Sequence, residues 1–100
     1  MLGISHTQCG DQFTVALNGE LALDTVEAFH DVMDRRAPQT EQVVFDCAGL
    51  FFADSTGVNA LLQAALRLKR RGVAAEVVNL NDDLREMLDV TGFFEVLGSA

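Results

Sequence analysis

The chain is poor in positive charge: seven Lys and Arg stand against fifteen Asp and Glu, a formal net charge of −8 in 100 residues. So acidic a surface repels phosphate backbones and anionic headgroups, which excludes nucleic acid and membrane as expected partners and favours a protein with a basic face. Cysteine is also scarce. Cys9 and Cys47 lie far apart, with no CxxC spacing and no histidine cluster, so neither a zinc site nor a disulfide framework is expected. Both read as small buried or half-buried thiols. No apolar run approaches the roughly 20 residues that cross a bilayer. The start, Met1 to Phe13, has no basic segment followed by a long apolar stretch, so no secretory signal is expected and the cytoplasm is the default compartment. The one proline, Pro38, falls in a polar stretch from Ala37 to Gln42 that reads as a loop.

What remains is a chain with 49% hydrophobic residues, enough for one packed core and one domain spanning 1–100. Residues 13–17, 42–46 and 73–78 are rich in β-formers and read as strands; 2–8 reads as a weaker edge strand and 93–97 as a possible fifth. Three helical patterns fall between them. The first opens at Asp24, where Asp24-Thr25-Val26-Glu27 has capping-box spacing, and Val26, Phe29 and Met33 share a face. The second opens near Ser55, turns Val58, Leu61, Leu62, Ala65 and Leu66 inward, and stops at Gly72. The third runs from Asn81 to Gly92 and buries Leu84, Met87 and Leu88. Alternating strands and helices predict an α/β fold, a four- or five-stranded mixed sheet with helices packed on it. The unbroken run Val43-Val44-Phe45 should be a central strand, buried on both faces.

The basic cluster Arg67, Lys69, Arg70 and Arg71 falls at a helix end, where it complements the helix dipole. The informative stretch is 43–62. A buried strand ends at Asp46, Phe51 and Phe52 follow in an apolar loop, and Asp54-Ser55-Thr56-Gly57 opens a helix. Ser55 thus sits beyond the sheet end, where unpaired N–H groups face outward and contacts in open α/β sheets gather. Ser55 or Thr56 can serve as a plain N-cap. A capping serine can also be modified, so the two roles are compatible. Gly57, lacking a Cβ, admits close approach of another backbone or a phosphate donor.

Phe51-Phe52-Ala53-Asp54-Ser55-Thr56-Gly57 resembles the phosphorylation motif of bacterial anti-sigma-factor antagonists, the STAS family. Gly19-Glu20-Leu21 is similar to the family's G-E-L. Val77-Val78-Asn79-Leu80, followed by Leu84, Leu88 and Thr91-Gly92-Phe93, is similar to its C-terminal pattern. The resemblance implies a STAS-like domain that binds an anti-sigma factor, itself a serine kinase, and is switched off by phosphorylation at Ser55, thereby regulating sigma-dependent transcription. Asp24, Asp54, Ser55, Thr56 and Gly57 would form the partner surface, with no catalytic residue, cofactor or metal. One departure stands out. The family continues G-E-L with Asp, where this chain has Ala22; Asp24 either substitutes spatially or caps its helix. The other use of the same fold is a docking subunit of a transporter or larger signalling complex, with no phospho-switch.

An enzyme reading fits poorly. Val43-Val44-Phe45-Asp46 has the outline of a phosphatase nucleophile strand, but the second carboxylate that chemistry needs two residues on is replaced by Ala48. His6 and His30 have no Ser, Cys or carboxylate at a telling spacing.

Overall fold

A computed structural model describes residues 1–36 and 40–93. In chain order the elements are β1 (Leu2–Cys9), β2 (Gln12–Leu21), α1 (Val26–Arg36), β3 (Gln42–Ala53), α2 (Ser55–Arg70), β4 (Ala74–Val78) and α3 (Asp82–Val90). The four strands form one mixed sheet in the order β1-β2-β3-β4, with β1 antiparallel to β2 and the other neighbours parallel. β3 is therefore an interior strand. Val43, Val44 and Phe45 are all buried although period two points Val44 away from the other two, as the unbroken apolar run requires.

Parallel pairing dictates the layout. Each crossover must carry the chain from the C-terminal edge of one strand back to the N-terminal edge of the next. Leu21 pairs with Ala53 at one edge, and Gln42 pairs with Gln12 and Ala74 at the other. Hence α1 and α2 both start at the first edge and end at the second. Alternate residues of β2 (Phe13, Val15, Leu17) and of β3 (Val43, Phe45, Cys47) meet the apolar stripe of α2, Val58, Leu61, Ala65 and Leu68. Fully burying one leucine such as Leu61 is worth about 2 kcal/mol, so this stripe does more to place α2 than helix propensity can.

Several expectations need correction. β3 extends to Ala53 instead of ending at Asp46: the apolar stretch with Phe51 and Phe52 is strand, because its backbone keeps pairing with β2 across two register shifts. α1 starts at Val26, and its entry is organised by Thr25, whose Oγ1 accepts from Ala22 N at 2.9 Å and donates to the Glu20 carbonyl at 2.8 Å. Asp24 forms no capping box; among the described residues its exposed carboxylate makes no hydrogen bond. Leu62 and Leu66 are half-buried, and Ala64 takes the core position instead, since the inward stripe is centred on Leu61 and Ala65. On α3 only Leu84 and Leu88 are buried, and Met87 is exposed. Cys47 is buried as expected but Cys9, in the edge strand, is exposed. The proposed loop residues 37–39 and the possible strand at 93–97 lie outside the described residues, apart from Phe93, which is buried.

Candidate functional site

The site is built where β3 hands over to α2. Asp54 keeps the extended backbone of β3 (φ −92°, ψ −176°), the conformation of an N-cap, and its side chain reaches over the first turn of the helix. Its Oδ1 accepts from Gly57 N at 2.8 Å and its Oδ2 from Leu23 N at 3.1 Å. The same residue's N–H continues the sheet by donating to the Leu21 carbonyl at 3.3 Å. One carboxylate thus caps α2 and staples the turn after β2 to it. The Gly57 and Leu23 amides, in that order, hold the Asp54 carboxyl below the usual carboxylate range, against a small desolvation effect.

The cap is therefore Asp54; neither Ser55 nor Thr56 fills that role. A capping oxygen must stand one residue outside the helix to reach the N–H two or three positions in, and Ser55 is already the first helical residue. Its side chain is exposed, and its hydroxyl makes no hydrogen bond among the described residues. Thr56 is half-buried. Gly57 is buried, and the close approach expected there comes from within the chain: a Cβ at this position would fall on the Leu21 carbonyl oxygen. The glycine lets the first turn of α2 press against the end of β2, which fixes where Ser55 emerges.

Around this point the sheet edge is apolar and open. Leu23 is 73% exposed, Phe51 67% and Phe52 47%, so neither phenylalanine is a core residue. Asp24 sits one residue beyond Leu23 on the same edge and is exposed. The position where an acid would follow Gly19-Glu20-Leu21 is buried Ala22, whose carbonyl accepts from Thr25 N and Val26 N. Asp46 lies elsewhere: its Oδ1 takes the Asn79 amide and the Ala48 N–H, each at 3.0 Å, and these two bonds hold its carboxyl below the usual carboxylate range.

A second feature borders Ser55. The rows Ser55, Val58, Leu62 of α2 and Asp83, Met87, Val90 of α3 face each other across an apolar groove of about 730 Å³. Sequence reasoning placed Leu62 and Met87 in the core because both obey the helical period. The signal that separates them is subtler: each lies one position off the centre of its buried stripe.

Comparison with known proteins agrees with this architecture. The family model for the STAS domain matches residues 5–99. An anti-sigma F factor antagonist of Paenibacillus polymyxa is 28% identical over 85 residues, covering 83% of this chain and 73% of the relative. The crystal structure of an antisigma-factor antagonist STAS domain from Rhodobacter sphaeroides superposes with a TM-score of 0.69 at 26% identity, over 78% of this chain and 86% of that one. A sulfate transporter family protein from Wolinella succinogenes gives 0.79 at 21% identity, over 92% and 75%, and shares the fold. Among the described residues, no helix is long and apolar enough to cross a membrane. With a mixed sheet, α2 capped by Asp54, and a family match over nearly its whole length, this chain belongs to the STAS domain family.

Proposed function

We propose that the protein is a non-enzymatic anti-sigma factor antagonist of the cytoplasm, switched by phosphorylation of Ser55. In the unmodified state the surface around Ser55, with Asp24, Asp54, Thr56 and the position of Gly57, binds an anti-sigma factor that is also a serine kinase. Binding releases a sigma factor; phosphorylation ends it. The observation that carries this reading is a division of labour: Asp54 caps α2, so the exposed Ser55 hydroxyl serves no purpose in the fold. The similarity to an anti-sigma F factor antagonist at 28% identity supports the same role. Exposed Leu23, Phe51 and Phe52 would supply apolar contact beside the switch. ATP belongs to the kinase, and the protein needs no cofactor of its own.

Phosphate adds about −1.5 to −2 charges. The N-terminus of α2 tolerates them locally through the helix dipole, so the fold survives. The partner then meets a bulky dianion where it fitted a neutral hydroxyl, and each ~1.4 kcal/mol of lost complementarity weakens binding tenfold.

The test is a three-variant series read by phosphopeptide mapping, thermal denaturation and partner affinity. Ser55→Ala should change stability by less than ~0.5 kcal/mol, because no cap is lost and alanine favours helix. It should refuse phosphate and bind permanently. Ser55→Asp should bind at least tenfold more weakly while remaining folded. Thr56→Ala should still be phosphorylated at Ser55. Phosphate mapping to Thr56, or a Ser55→Asp variant that binds as tightly as wild type, would refute the switch.

A further inference from the structure

The groove between α2 and α3 has a composition that specifies its occupant. Val58, Leu62, Met87 and Val90 make it apolar; Asp83 and Glu86 give its lining acidic charge, and among the described residues no Lys or Arg lines it. Met87 is 36% and Val90 82% exposed, unusual for side chains of this kind on one short helix. Each wall spans eight residues, Ser55 to Leu62 and Asp83 to Val90, roughly two turns or 11 Å of helix. Two ridges of that length can seat a third helix between them.

The charge distribution of the whole chain sharpens this. Of its seven Lys and Arg, six (Arg35, Arg36, Arg67, Lys69, Arg70, Arg71) follow each other closely in two runs at the C-terminal ends of α1 and α2. Both helices end at the sheet edge opposite Ser55. The groove instead has Asp83 and Glu86 in its lining, and Asp54 stands one residue before Ser55 at the start of α2.

We infer that this groove seats an amphipathic helix of a partner protein, with an apolar stripe flanked by Lys or Arg. The inference deepens the proposed function and rests on it for one step: Ser55 lies at the end of the α2 row, so the occupant's apolar stripe covers it. A phosphate there would be stripped of water beneath apolar side chains, whereas flanking lysines at the rim remain in solvent. Desolvation outweighs attraction, and phosphorylation expels a basic partner from an acidic groove.

The experiment uses the full chain, isotopically labelled, with two synthetic helical peptides of about 18 residues. Both carry the same leucine stripe at i, i+3, i+4 and i+7; one is flanked by Lys, the other by Glu. The Lys peptide should shift the signals of Val58, Leu62, Met87 and Val90, and its affinity should fall with salt. Met87→Ser and Val90→Ser, at exposed positions the fold tolerates, should each weaken it several-fold, and Ser55→Asp at least tenfold. Glu86→Lys should move the preference toward the Glu peptide. Equal binding of both peptides to the wild type, shifts outside the groove, or tighter binding by Ser55→Asp would overturn the inference. So would self-association abolished by Val90→Ser, which gives the groove to a second copy, or contacts from residues 94–100 into it, which gives it to this chain's own C-terminus. Phosphate incorporation at Ser55 is read independently. A labelled Ser55 with a silent groove leaves the switch standing, and the reverse leaves the groove standing.

Discussion

The two ends of α2 are built on different physics. At its start, one carboxylate takes specific amides at 2.8 and 3.1 Å, and a glycine lets the helix press directly on the Leu21 carbonyl. At its end, Arg67, Lys69 and Arg70 populate the last turn, Arg71 closes it through its own N–H, and the ion pair from Arg67 to Asp34 is a long 3.8 Å between two exposed groups. The first end is held by close geometry, the second by diffuse charge against the helix dipole. The proposed switch, which would present one hydroxyl at a fixed place, calls for the first kind of construction. A helix that merely needs to stop can use the second.

Glycine exchange should separate the ends most sharply. Gly57→Val forces the Leu21 backbone to move, so its cost should reach or pass the ~3 kcal/mol upper range of overpacking. Gly72→Ala, at a positive φ of 78° with nothing within 4 Å, meets only the left-handed backbone penalty, about 1–2 kcal/mol. Denaturant unfolding of both variants measures the difference; equal losses would mean the start of α2 is no more tightly fitted than its end.

Acid comes next. Because the Asp54 carboxyl is held below its ordinary value of 3.8, the stability it adds is fully present above that value and is lost as pH falls through the lower folded one. Asp54→Ala should lower the melting temperature at neutral pH and flatten the part of the acid-denaturation profile below pH 3.8. Asp46, lowered by its own two hydrogen bonds, should retain the rest of that slope. A profile unchanged by Asp54→Ala would remove the cap from the account.

The smallest effect belongs to the far end. Arg67→Ala should alter stability by no more than ~0.5 kcal/mol, as expected for an exposed pair. A larger loss would show that the basic end is also specifically fitted.

The same contrast explains what the sequence made legible. Strand and helix order, the interior position of Val43 to Phe45 and the place of Ser55 at the start of a helix all follow from local pattern. The length of β3 does not, because Cys47 to Ala53 contains Ala48 and Gly49 and is kept extended by pairing with β2, a partner remote in sequence. Nor does the cap: Asp54 and Ser55 are both good N-caps, and a one-residue choice between them was decided by the Leu21 and Leu23 backbone. Leu62 and Met87 follow a helical period, yet Leu62 is only half-buried and Met87 is exposed, since periodicity marks a stripe without stating how wide its cover is.

The bond from Leu23 N to Asp54 Oδ2 gives the molecule a spectroscopic tell-tale. An amide proton's resonance frequency follows the charge and distance of its acceptor, and the carboxylate that holds this one adjoins Ser55. Modification at Ser55 should therefore register at Leu23, a residue 32 positions earlier in the chain. A single backbone signal would then follow the switch in real time, with no label added to the surface that binds.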